Sequence, residues 1–380
     1  MDRRQFVGLA ATLPAALPFI PGTVIGFGSP GRSAPRALHR RGAGPAQDGI
    51  HSIDGLGEIR LDYPPELLDE IIASGLRCCV VTVGNPGLYG SEAFPDTIAE
   101  IEAYEAHIDT HPDRLMRIRT MDDVDAAART GRLGLIYYPQ NATPLERDPE
   151  RVDVLWDRGV RILQLTYNHR NLLGDGSSER TNAGLSEYGL EVVARMNAVG
   201  MVVDVSHSGE ATTMDAIRHS SAPVAITHAG CKGVFDHPRN KTDEALRAMA
   251  DGGGVMGIVQ LNPYLGPRER NTLEDYLDHI QHAVNLCGID HVAIGSDREH
   301  RPVPDTAEER QKLVDELARL YPDPSLAPPV RWPFFLTELN HPRRMETIRV
   351  GLQGRGFGSA EVEKILWGNW YRLFREVWPA

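Results

Sequence analysis

MVVDVSHSGEATTMDAIRHSSAPVAITHAGCKGVFDHPR, residues 201–239, alternates apolar runs with a helical pattern between them and histidines behind them. Two short apolar runs, 201–205 and 223–227, each lead into a polar cluster with a histidine at its head, His207 and His228. Between them, 210–219 places Ala211, Met214 and Ile217 at helical spacing, so the segment reads strand, helix, strand. A βαβ crossover makes the two strands parallel neighbours and sets both histidines at their C-terminal ends. In parallel α/β folds that edge is where ligands bind. Neutral imidazole nitrogens suit zinc, and strands hold them at fixed geometry, so the pair is a candidate for metal ligation. The competing reading of either histidine alone is a hydrogen-bonded structural residue.

Outward from this unit the same alternation continues. Strand-like runs fall at 50–54, 78–83, 115–119, 133–138, 160–166, 254–260 and 292–296, with helical patterns at 96–110, 121–130, 149–158, 185–199, 242–250 and 273–287. Units of this number and length predict an α/β fold of the (β/α)8 TIM-like barrel type, occupying residues 49–380 as one domain. A doubly wound sheet is the alternative, but no Gly-x-Gly-x-x-Gly turn follows the first strand. The proline-rich stretch 302–333 is expected to form an inserted helix and loop near the active face. The chain from 362 to 378 reads as an amphipathic helix with Leu366, Trp370, Leu373, Phe374 and Trp378 on one side, docking on the barrel.

Composition narrows the function. A chain of 380 residues with 41% hydrophobic content can bury a large core, and a net charge of −12 without a basic patch argues against nucleic-acid binding. The four cysteines, two of them adjacent at Cys78 and Cys79, make no disulfide framework and read as buried thiols. Arg3 and Arg4 precede an apolar run, 7–20, broken by Pro14 and Pro18 and too short to span a membrane. Residues 1–22 resemble a twin-arginine export signal, which implies the twin-arginine export machinery as a partner and a periplasmic or extracellular destination. Residues 23–48, rich in Gly, Pro, Arg and Ala, read as a flexible linker.

Polar residues gather at other strand ends: Asp54-Gly55-Leu56-Gly57-Glu58, Gln140-Asn141, Tyr167-Asn168-His169-Arg170-Asn171 and Gly295-Ser296-Asp297. Asp297 is placed to bind a metal or move a proton, with a helix cap as the plainer role. Arg239 offers a planar fork for a carboxylate, with a surface ion pair as the plainer role.

Asp204-Val205-Ser206-His207-Ser208, Ile226-Thr227-His228-Ala229 with Pro238-Arg239-Asn240, Gly184-Leu185-Ser186-Glu187-Tyr188-Gly189, Ile294-Gly295-Ser296-Asp297 and Gly368-Asn369-Trp370, in one register, resemble the membrane (renal) dipeptidase family of zinc peptidases. The resemblance runs from about Asp54 to Arg375. It implies a distorted (β/α)8 TIM-like barrel of the metallo-dependent hydrolase type, a catalytic domain that hydrolyses dipeptides at a binuclear zinc centre, often as a homodimer. By position, His207 and His228 resemble the two histidine ligands of one zinc, Arg239 the arginine that holds the substrate carboxylate, and Asp297 the proton-handling aspartate.

The departures concern the other zinc. Leu56-Gly57-Glu58 stands where the family has His-x-Asp; leucine cannot ligate, while Glu58 still offers an oxygen. Gln140 stands for the bridging glutamate and, being neutral, does nothing to offset repulsion between two dications. Tyr167, with His169 two residues on, stands for the histidine that steadies the tetrahedral intermediate; its hydroxyl can donate to an oxyanion. The expected function is therefore hydrolysis of a dipeptide or an N-acyl amino acid through a zinc-activated water, with one ion at His207 and His228 completed by Gln140, Asp297 or water. Two ions with Glu58 in the second site, and an exported barrel that binds a small carboxylate ligand without catalysis, are the alternatives.

Overall fold

Parallel strands supply the frame. In the computed structural model, which describes residues 51–320 and 330–379, they are β1 (Ser52–Asp54), β2 (Leu76–Thr82), β3 (Leu115–Arg117), β4 (Leu133–Tyr138), β5 (Ile162–Gln164), β6 (Val202–Asp204), β7 (Ala225–Ala229), β8 (Val255–Ile258) and β9 (Val292–Ile294). The export-signal and linker readings, 1–22 and 23–48, lie outside the described residues. Ladder pairing gives two sheets, β1-β2-β4-β3 and β5-β6-β7-β8-β9. The seams between them are closed by single bonds. On one side Tyr137 bridges Val160, and Gln164 N–H donates to Pro139 O at 3.1 Å. On the other, Gly55 N–H donates to Ile294 O at 2.9 Å and Asp297 N–H to Leu56 O at 2.8 Å. The result is a ring of β1, β2 and β4 to β9, with short β3 wedged beside the lower half of β4, where Leu115 pairs with Leu133. This is the eight-stranded barrel expected from the alternation of runs, with the distortion that the family resemblance implies.

The barrel is filled by inward residues, among them Ile53, Val80, Ile136, Ile162, Val202, Val255 and Ala293, all buried. Its lower end is stoppered by the C-terminal segment. Trp370 is fully buried, donates from Nε1 to Ile294 O at 2.9 Å and packs with Phe374 in the same cluster. Gly55 makes room for it: a Cβ there would lie 2.3 Å from Trp370 Cζ2. The expected continuous helix over 362–378 is instead Ser359–Glu363, a π turn Lys364–Gly368 and helix Asn369–Val377. The extra residue in the π turn resets the helix face, and Asn369 Nδ2 reaches Ile289 O at 2.7 Å and Val292 O at 2.8 Å.

Helix boundaries follow local chemistry. Thr120 and Asp123 form a capping box at the start of Met121–Thr130, which ends at Gly131 with φ of 73°. Helix Glu210–His219 is the crossover between β6 and β7 that the opening stretch predicts. The inserted stretch contains helix Ala307–Leu320, and residues 321–329 of it lie outside the described residues. Two further helices, Pro65–Ala73 and Arg344–Gly354, complete the outer layer beside regions where no helix was expected. Among the described residues no helix is long and apolar enough to cross a membrane.

Candidate active site

His207 and His228 meet at the C-terminal rim, as the crossover requires. Their Nε2 atoms are 2.8 Å apart. Each ring is fixed from behind: His207 Nδ1 lies 2.8 Å from Asn168 Oδ1, and His228 Nδ1 lies 2.9 Å from Thr227 Oγ1. Amide oxygen only accepts, so His207 carries its proton on Nδ1 and turns the Nε2 lone pair toward its neighbour. Burial, with Arg239 close by, drives both histidines well below the ordinary imidazole pKa, so both are neutral. Two neutral nitrogens converging on one point form a donor set that fits a zinc-like ion. Bonds of about 2.0–2.1 Å at a tetrahedral centre separate the nitrogens by roughly 3.4 Å, which a small ring rotation supplies.

A buried polar lattice holds the pair. Asp204 lies beneath β7, accepting from Ser206 Oγ at 2.7 Å, from Thr227 N at 2.7 Å and from the Tyr138 hydroxyl. Ser206 Oγ in turn accepts His228 N–H at 3.0 Å. Strands β8 and β9 press close here: a Cβ on Gly257 or Gly295 would lie 2.1 or 1.8 Å from Thr227 O. The backbone that carries His228 is thereby clamped from both sides.

Arg239 is only 4% exposed. Its guanidinium donates to Ser206 O and, at 3.3 Å, to His228 O, so it bridges the ends of β6 and β7. Its Nε–H finds no hydrogen-bond partner, and no carboxylate pairs with it among the described residues. The fork is therefore held by carbonyls, which fix it without neutralising its charge.

Above the histidines opens a cavity of about 340 Å³ lined by Glu58, Gln140, Tyr167, His207 and Asp297 among others. The inserted helix supplies part of its wall through Leu313, Glu316 and Leu317, which places the insertion at the active face. His228 and Arg239 lie beneath this lining, and His169 is outside it, whereas its neighbour Asn168 is part of it. Tyr167 stacks on His207 with ring centroids 4.2 Å apart. Asp297 sits at φ of 53°, a left-handed conformation that aspartate tolerates better than most residues. Burial, reinforced by Glu58 and opposed by Arg239, raises its carboxyl to about 7.

The positions of a second metal fare differently. Leu56 is fully buried in the barrel core. Glu58 Oε1 accepts from Thr82 Oγ1 at 2.5 Å, and Thr82 Oγ1 accepts from Gln140 Nε2 at 2.7 Å, so Thr82 ties the Gln140 amide to the Glu58 carboxylate. Glu58 Oε2 faces Arg60 Nη1 at 3.5 Å, and Arg60 also meets Glu299 and Glu316. A fixed guanidinium beside the one remaining carboxylate does not fit a second dication.

Sequence reasoning missed Asn168, Thr82 and Arg60, whose roles depend on partners far along the chain. It also missed a buried brace in which Asp54 accepts from Ser296 Oγ at 2.6 Å and contacts His300 Nε2 at 3.1 Å and Arg344 at 3.7 Å. Asp54, Cys79 and His300 form the one three-residue cluster with metal-ligand spacing among the described residues, but Arg344 already supplies the positive charge there. Its effect is to tie β1 to the segment after β9.

The family model described as membrane dipeptidase (Peptidase family M19) matches residues 60–327. Dipeptidase verJ of Clonostachys rogersoniana is 35% identical over 208 residues, which span 54% of this chain and 53% of that protein. An uncharacterized protein in the pqqA 5' region of Klebsiella pneumoniae is 28% identical over 275 residues, spanning 70% of this chain and 90% of its own length. The structure of an amidohydrolase from Pseudomonas aeruginosa superposes with a TM-score of 0.76 at 31% identity, covering 87% of this chain and 97% of that one. An M19 metallopeptidase, dipeptidase AC, shares the fold with a TM-score of 0.73 at 19% identity.

Proposed function

The chain belongs to the membrane dipeptidase family, Peptidase family M19, and on that premise we propose that it hydrolyses the amide bond of a dipeptide or a similar small carboxylate-bearing amide, an N-acyl amino acid among them, with one metal ion held by His207 and His228. The observation that carries this reading is the convergence of two neutral Nε2 atoms, 2.8 Å apart, beneath a cavity lined by Asp297. Held by His207 and His228, such an ion would supply Lewis acidity toward the scissile carbonyl and would acidify a nearby water.

The chain's own residues do the rest. Asp297, with a pKa of about 7, is poised both to take a proton and to return it to the leaving amine. Arg239, anchored on Ser206 O and His228 O, presents unneutralised charge and a partnerless Nε–H to a substrate carboxylate. The Tyr167 hydroxyl is the candidate donor to the developing oxyanion, and its stacking on His207 fixes the ring. Arg60, already paired with Glu58, takes the place that a second ion would need. Metal-loaded protein is expected to cleave members of a dipeptide and acyl-amino-acid panel, and His207→Ala to lose that activity while keeping its fold by circular dichroism. No turnover by either protein across the panel contradicts the proposal.

The same reading includes export. Arg3 and Arg4 ahead of the 7–20 apolar run support passage through the twin-arginine machinery to the periplasm or beyond, and a homodimer follows from the family habit. Replacing both arginines with lysine is expected to leave the protein in the cytoplasmic fraction; undiminished export would refute it.

A further inference from the structure

We propose that a second cavity, about 530 Å³, beside the active site is a subsite for an additional anionic group on the substrate, so that the favoured dipeptides end in an acidic residue. The proposal rests on the hydrolase reading and adds the substrate class.

The two cavities share walls. Tyr264, Leu317 and Phe334 line both. The second one is floored by His237, two residues before Arg239, and His237 Nδ1 accepts Arg239 N–H at 3.2 Å. The Tyr264 ring lies 5.7 Å from the Arg239 guanidinium and 4.8 Å from the His237 ring. A substrate whose α-carboxylate is read by Arg239 therefore has its C-terminal side chain nearest the opening past Tyr264.

The charge of this cavity is positive. Its lining includes Arg270, Arg310 and Arg331 against one carboxylate, Glu269. Arg310 is committed to Asp305 at 2.6 Å and lies 5.0 Å from the centre of the Trp332 ring. Arg331 Nη1 is pinned on Gly266 O at 2.6 Å and Arg268 O at 2.9 Å, an arrangement that fixes the guanidinium and leaves its charge intact. The Arg270 guanidinium makes no hydrogen bond or close ion pair among the described residues; it lies within electrostatic reach of Asp305, the carboxylate that Arg310 already holds. His237 is held neutral by burial and by Arg239, near a pKa of 4, and contributes only an acceptor and a ring face. A carboxylate at the end of a short, flexible arm matches two guanidiniums on an aromatic wall.

The test compares Gly-Glu with Gly-Gln, which match in shape and differ in charge. Wild type is expected to favour Gly-Glu in kcat/KM by about two- to fivefold at low salt, the size of one partly exposed ion pair, with the preference shrinking as ionic strength rises. Arg270→Gln combined with Arg331→Gln brings the ratio toward one, and Arg270→Lys retains it. A wild-type ratio near or below one, or a ratio indifferent to the double substitution, overturns the subsite. If wild type cleaves neither these two dipeptides nor any member of the wider panel the hydrolase reading fails, and the same ratio read from dissociation constants by calorimetry then decides the subsite independently.

Discussion

Replacing Asp297 with asparagine in metal-stripped protein should change how stability depends on pH, by an amount the site itself sets. The native carboxyl titrates near 7 because burial and the neighbouring Glu58 disfavour its charge, against a reference value of 3.8. A carboxyl raised in the folded state binds its proton more tightly there than in the unfolded chain. It stabilises the fold fully below the unfolded pKa, and that contribution is lost as pH rises through about 7. At ~1.4 kcal/mol per pKa unit, the roughly three units amount to about 4 kcal/mol as an upper bound, of which about 2–3 kcal/mol falls between pH 5 and 8. Asparagine is nearly isosteric, accepts the left-handed conformation and does not titrate. His207 and His228, depressed in the folded state, pull the other way, costing stability as pH falls below their unfolded value. Their effect is common to both proteins and drops out of the difference. Urea denaturation of both proteins after chelation, at pH 5, 6, 7 and 8, should therefore show Asp297→Asn gaining on wild type by about 2–3 kcal/mol over that range. A difference that stays flat would mean that Asp297 is not held protonated by its surroundings, and its assignment as the proton-handling group would fall.

Other perturbations follow from the same contacts. Trp370→Ala removes the stopper of the barrel and its bond to Ile294 O, and should lower unfolding free energy by about 3–5 kcal/mol, read by denaturant titration. Leu56→His restores a ligand type but leaves Glu58 facing Arg60 and bonded to Thr82, so metal content should remain at one ion per chain; a second tightly held ion would show that Arg60 does not block that position. Arg239→Lys keeps the charge and loses the fork that bridges Ser206 O and His228 O, so kcat/KM on dipeptides should fall by about tenfold or more, with steady-state kinetics as the check.

The histidine pair was legible because a βαβ crossover has one hand and one functional edge: once 201–205 and 223–227 are strands, His207 and His228 must meet. Each of the nine strands falls on an apolar run, so the barrel was legible with them, although β1, β3, β5, β6 and β9 are only three residues long. Helix Pro65–Ala73 escaped because Pro64-Pro65 reads as a loop, although proline at the first helical position starts a helix as readily as it ends one. The C-terminal helix was placed correctly on its apolar side, but its π turn leaves no periodic trace in five residues. The partners of the site residues were the least legible. Asn168 and His207 are 39 residues apart, Thr82 and Gln140 are 58, and Asp54 and His300 are 246. Such pairs are set by barrel closure, and a polar residue at a strand end gives no sign of which neighbour it will find. Arg60 illustrates the point: near the missing ligands in sequence, it reads as surface charge until the fold sets it against Glu58, Glu299 and Glu316.

The central claim is a single-metal amide hydrolase built on His207 and His228, and metal content per chain by elemental analysis tests it most directly, on wild type, His228→Ala and Glu58→Gln purified without added zinc or chelator. One ion per chain is expected in wild type, none in His228→Ala and one in Glu58→Gln. Two ions in wild type, with one lost on changing Glu58, would contradict it.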